Sequence, residues 1–163
     1  MPLPCYMTLT GQKQGNIEGS CTAAGHEKKI LVHAVDMSID RPNSPETGRP
    51  TGNRQHLGLT ITKEIDESSP KLFQALCEGE QMTNVELQFY RVTTKGTEEL
   101  YYTIKLTDAT LVGGRTWVPN TLTPENRALT HMEDIRFTYE AITWTYVPKG
   151  IEADDSWAAP KKK

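Results

Sequence analysis

Apolar and polar residues alternate over much of this chain, the period-two pattern of strands that bury one face. Residues 6–10 open the pattern, and Gly11 and Gly15 mark a turn toward Ile17, which predicts a first hairpin. Leu57, Leu59 and Ile61 alternate with Gly58, Thr60 and Thr62, predicting a strand that runs on toward Ile65. Val85, Leu87 and Phe89 form one arm of another hairpin, and Leu100, Tyr102, Ile104 and Leu106 form the other, with Lys95-Gly96-Thr97 at the turn. A further strand is expected over residues 109–118, interrupted by a bulge or bend at Gly113-Gly114. In the last strand Ile135, Phe137, Tyr139 and Ala141 share one face, and Ile142, Trp144 and Tyr146 continue on the other parity. A bulge near Ala141 would return both groups to one side.

Residues 30–39 depart from this pattern, because Ile30, Val32 and Ala34 lie on one parity and Leu31, His33, Val35, Met37 and Ile39 on the other. Both faces are fairly apolar, so the strand needs cover on two sides, from a core and either a helix or a neighbouring subunit. Leu31, Val35 and Met37 are the candidate positions for such an inter-subunit contact. Residues 40–56, DRPNSPETGRPTGNRQH, follow with three prolines, three arginines and hardly an apolar side chain. A loop this long within a compact domain points to function or disorder.

One helix is predicted near residues 69–79. Ser69 is placed as N-cap, Pro70 at the first helical position and Gly79 just past the end. Leu72, Phe73 and Leu76, helped by Ala75, fall on one side and form its core face. Seven or eight strands plus one helix give a mainly β fold, a closed or nearly closed β-barrel. Residues 1–163 are expected to form a single domain, with an extended loop at about 40–56 and a flexible C-terminal tail at about 150–163.

Composition narrows the partners. A formal net charge of −3 gives no general attraction to nucleic acid. No segment approaches the ~18 apolar residues of a membrane span, and the N-terminus lacks the basic start and apolar run of a secretory signal. Synthesis is therefore expected to end in the cytoplasm, without membrane insertion. Lys161, Lys162 and Lys163 read as a solvated or added tail. Cys5, Cys21 and Cys77 are odd in number and lack CxxC spacing, so reduced thiols are expected, with Cys77 a small buried hydrophobe.

The residues offer little chemistry. His26, His33, His56 and His131 are scattered without metal-site spacing, placed respectively in a turn, within a strand and at two strand entrances. Gly48 to Gly52 lacks the Lys-Ser/Thr of a phosphate loop and reads as turn chemistry. The pairs Glu98-Glu99 and Asp154-Asp155 read as solvated, since neighbours on a strand point to opposite faces. No catalytic residue, cofactor or metal ligand is expected. The alternative is a ligand-binding barrel without catalysis, in which Tyr101, Tyr102, Trp117 and Trp144 would line a cavity.

The run ITKEIDESSPKLFQALCEG at residues 61–79 resembles the Hcp family, inner-tube proteins of the bacterial type VI secretion system. It is supported by YMTLTGQKQGNIEG at 6–19, ELQFYR at 86–91, YYTIKLTDATL at 101–111 and FTYEAITWTY at 137–146, which together cover most of the chain in order. The resemblance implies a barrel with one helix that assembles into six-membered rings stacked in a tube. It also implies a contractile sheath, a VgrG spike and carried effector proteins as partners, and export without a cleaved signal peptide. No catalytic residues come with it. In the family the loop matching 40–56 reaches a neighbouring ring, so Arg41, Arg49 and Arg54 are the candidate inter-ring contacts, as forked donors on a proline-stiffened segment.

Overall fold

A computed structural model describes residue 3 and residues 5–157. Among the described residues, nine strands, one α-helix and two short 3-10 turns occur, in the order β1 (Cys5–Gly11), β2 (Gly15–Ile17), β3 (Ile30–Asp40), β4 (Gln55–Glu64), α1 (Ser69–Glu78), β5 (Gln81–Val92), β6 (Glu98–Trp117), β7 (Met132–Thr138), β8 (Ala141–Tyr146) and β9 (Ile151–Ser156). The 3-10 turns cover Pro124–Asn126 and Val147–Lys149.

Antiparallel ladders close on themselves. Strand β1 pairs β3, β3 pairs β4, β4 pairs β7, β7 pairs β6, β6 pairs β5, and β5 returns to β1. This six-membered circuit is the barrel that the alternation predicts, and closure leaves its strands without an open edge along the circuit. The interior is filled by side chains of every strand in it, among them Met7, Leu9, Ile30, Leu59, Ile61, Leu87, Leu106, Ile135 and Phe137, all essentially inaccessible to solvent.

Strand β6 is one 20-residue element where two strands were expected. Asp108, with φ 51°, bends it in the middle. Strands β7 and β8 lie along its two halves, β7 on residues 110–117 and β8 on residues 102–107. The expected single closing strand is therefore broken at Tyr139 and Glu140, opposite the Asp108 bend, and the amide of Glu140 still donates to the carbonyl of Thr107 at 3.1 Å. This break lets Tyr139 and Ile142 both enter the core despite their opposite parity.

The two-faced pattern of β3 has a similar origin. Pairing with β4 slips between Val32 and Ala34, adding one residue on β3. Ile30 and Val32 face the core before the slip, and Val35 and Met37 pack against it afterwards. The apolar residues of both parities thus serve mostly one side, while Leu31 and Ala34 are left off the core. A second slip, between Met37 and Ile39, adds a residue on β4 at Gly58. Gly58 has φ 87°, and a Cβ there would lie 2.8 Å from the carbonyl oxygen of Phe137, so only glycine fits without a shift. His56 turns inward as a result, and Leu57, expected among the core-facing positions, is 55 % exposed.

Helix α1 lies against β6. Leu72 and Ala75 are fully buried, whereas Phe73 and Leu76 are half-buried and pack on the edge of the core. Gly114 makes room for them: a Cβ there would stand 2.7 Å from the Phe73 ring. The N-terminal boundary falls one residue earlier than expected, with Ser68 flanking the helix and Pro70 in its first turn, and Gly79 ends it at φ 69°. Cys77 is on the exposed side of the helix, contrary to the sequence expectation, because it follows Leu76 by about 100° around the axis. Cys5 is the buried thiol, its pKa pushed up to about 12 by burial.

Candidate assembly surfaces

The polar segment between β3 and β4 is shorter and more ordered than its composition suggests. Asp40 still belongs to β3, and Gln55 and His56 to β4, leaving 41–54 as the connection. Asn43 and Pro50 form a bridge, the amide of Ser44 donates to the carbonyl of Arg49 at 2.8 Å, and that of Thr51 to the carbonyl of Pro42 at 2.8 Å. The connection is therefore a narrow hairpin continuing β3 and β4, turned at Gly48 with φ 71°. Arg41 and Arg49 are exposed on it.

Arg54 behaves differently. Its Nε donates to Oδ2 of Asp155, and a terminal nitrogen donates to the carbonyl of Ser156 at 2.7 Å. The same Asp155 oxygen accepts from His56 at 2.8 Å, and the other ring nitrogen of His56 stands 2.7 Å from the Tyr139 hydroxyl. Trp157 stacks on the His56 ring at 5.3 Å. Burial and the Asp155 charge push the Tyr139 phenol up to about 12. Residues 150–163 were expected as a flexible tail and Asp155 as solvated. Instead β9 pairs with β8, and Asp155 is buried as the anchor that fastens the base of the loop to that strand. Lys161, Lys162 and Lys163 lie outside the described residues.

A second buried network escaped the sequence reading. Lys63 is fully buried in β4 and pairs with Glu133 of β7 and with Asp66 at 2.9 Å. Ser69 receives the Lys63 ammonium at 3.2 Å and donates to Glu133 at 2.7 Å. Its hydroxyl thus joins this network instead of capping the helix by itself. Lysine in a strand normally marks the solvent side, so only the ESSP turn, with its small hydroxyls, hints at the arrangement.

His26 is also buried, stacked on Tyr6 at 3.9 Å and bonded to Glu98 at 2.8 Å. No cluster of three metal-ligating side chains occurs among the described residues. The four aromatics proposed for a ligand cavity are dispersed. Tyr102 and Trp144 pack on the core, Tyr101 lies under Arg91 and Trp117 beside Arg115. No helix among the described residues is long and apolar enough to cross a membrane.

The barrel with its helix has counterparts among known proteins. Residues 6–146 match the family described as "Type VI secretion system effector, Hcp". The chain belongs to the Hcp family. It is 40 % identical, over an alignment of 169 residues covering 98 % of each chain, to the protein of Pseudomonas aeruginosa named "Major exported protein". The fold matches that of the Hcp1 protein of the enteroaggregative Escherichia coli 042 pathovar with a TM-score of 0.84 at 31 % identity, covering 96 % of this chain and 99 % of that one. It matches the secreted protein Hcp3 of Pseudomonas aeruginosa with a TM-score of 0.78 at 34 % identity, with the same coverage. Hcp proteins are structural, secreted tube proteins of the type VI system, and the mainly β barrel seen here is their fold.

Proposed function

We propose that this Hcp chain is the subunit of a type VI secretion tube, closing into six-membered rings that stack and are expelled by a contractile sheath. The observation that carries this reading is a whole-chain match in fold and sequence to Hcp proteins together with a stiff, arginine-bearing hairpin that projects beyond the barrel. A barrel with a filled interior leaves its outer surfaces and projecting loop to do the work, and that suits a building block. Arg41 and Arg49 are the inter-ring contacts in this reading. Leu31 is the residue of β3 best placed to meet a neighbour, since Val35 and Met37 already pack on their own core.

The tube ends at a VgrG spike, and effector proteins travel within it. The chain is made in the cytoplasm and leaves the cell by this route, without a cleaved signal peptide. Secretion tests the reading: in a cell that carries the system, the chain is expected in the medium when the sheath is present and to be retained when the sheath gene is deleted. Export that persists without the sheath would contradict it.

A further inference from the structure

The barrel closes without its last strand. Strand β9 is added outside the six-membered circuit and pairs with β8 alone among the described strands. It brings almost no apolar burial: Asp155 is its one buried residue, and Ile151 is 60 % exposed. The ladder to β8 holds it, together with the contacts that Asp155, Ser156 and Trp157 make at its end. A tight turn at Gly150, φ 62°, tethers it to the rest of the fold. Apart from the Trp157 ring, its release would expose little apolar surface, the property of segments that open separately from the body of a protein.

The base of the 41–54 hairpin leans on this end of β9. Strand β4 pairs with β7 only from Leu59 onward, so residues 55–57 have β3 on one side and no strand of the ladder on the other. Side chains take that place. Arg54 donates to Asp155 and to the carbonyl of Ser156, and His56 stands 2.8 Å from the same carboxylate. The His56 ring packs on Trp157, stacked at 5.3 Å, and on Tyr139, edge-on at 5.4 Å. Trp157 and Tyr139 also touch each other, at 5.2 Å.

We propose that β9 and Trp157 form a strap with two positions, docked and released, and that the strap sets the freedom of the hairpin. Docked, it fixes the hairpin base on the side that β7 does not reach. Released, it takes the Asp155 carboxylate from Arg54 and His56 and the stacked indole from His56 in one movement. The β3–β4 ladder is then left to hold the base. The coupling runs both ways, since a contact that steadies the hairpin also steadies β9, and one that draws β9 away frees the hairpin. The device lies within one subunit, goes beyond the tube reading and stands without it.

Native-state hydrogen exchange of the purified chain, read by mass spectrometry, tests the strap. In the unaltered chain, residues 151–157 and the hairpin base at 39–40 and 54–57 are expected to gain exchange together as urea is added. They should do so at concentrations that leave β1, β5 and β6 protected. Asp155→Asn keeps the shape of the side chain and removes its charge. It should speed exchange about 10-fold or more in both segments and leave those barrel strands as they were. Faster exchange in 151–157 with an unchanged hairpin base would overturn the coupling. Exchange of 151–157 only in step with the barrel strands, in the unaltered chain, would overturn the strap itself, and that reading needs no variant to fold. Both results are read on the amides of the subunit, so neither depends on whether rings form or stack.

Discussion

Arg54 is held by its own subunit. The sequence groups it with Arg41 and Arg49, since three arginines in one polar loop look alike before the fold is known. In the structure its guanidinium is bound to Asp155 and the carbonyl of Ser156, and it shares that carboxylate with His56. Asp155→Ala would leave a largely buried guanidinium and a buried imidazole without their acceptor, a class of change that costs about 3–5 kcal/mol. Urea denaturation should show a loss of that order, and Arg54→Ala should likewise lower stability. Arg41→Ala and Arg49→Ala, at exposed positions, should leave it nearly unchanged. Tyr139 belongs to the same network. Its folded pKa of about 12 lies above the unfolded value near 10, so the fold favours the neutral phenol. That contribution is fully present below pH 10 and is lost as pH rises from 10 through 12. Ultraviolet titration should show one tyrosine ionising near pH 12 in the native protein, absent in Tyr139→Phe.

Among elements, the legibility of the sequence followed the regularity of the strands. Strands β1 and β5 read directly from alternation, as did the turn at Gly96 and the helix end at Gly79. Slips in register hid the rest. At His33 and Gly58 an added residue reverses the parity of β3 and then of β4, so an apparently two-faced strand mostly serves one core and Leu57 points outward. Strand β9 was invisible because IEADDS has almost no apolar pattern, and its place is set by pairing with β8 and by the Asp155 anchor. Lys63 was unreadable for a different reason: its burial depends on Glu133, seventy positions away in sequence. For the helix, the inner face was legible but not its grading. Leu72→Ala, at a fully buried site, is expected to cost about 2–5 kcal/mol, and Phe73→Ala less, because its ring is half-buried. Equal losses in chemical denaturation would contradict this grading. Gly114→Val should push the helix off β6 and cost more than the same change at Gly52, whose φ is not positive and where a Cβ would make only ordinary contact with Pro42 at 3.6 Å.

At the scale of the whole molecule, the proposed tube uses different surfaces for ring closure and for ring stacking. Closure is left to the barrel wall, with Leu31 among its apolar contacts, and stacking to Arg41 and Arg49 on the hairpin. The double change Arg41→Ala with Arg49→Ala is therefore expected to preserve rings and abolish tubes and export. Raised salt should loosen the stack first, since exposed ion pairs contribute only about 0–1 kcal/mol each and are screened. The most direct test is the mass of the purified chain in solution by light scattering, with electron micrographs of the same sample. Six copies of an 18.3 kDa chain predict a particle of about 110 kDa with six-fold rings in projection. A stable monomer at micromolar concentration, with no rings on the grid, would contradict the account.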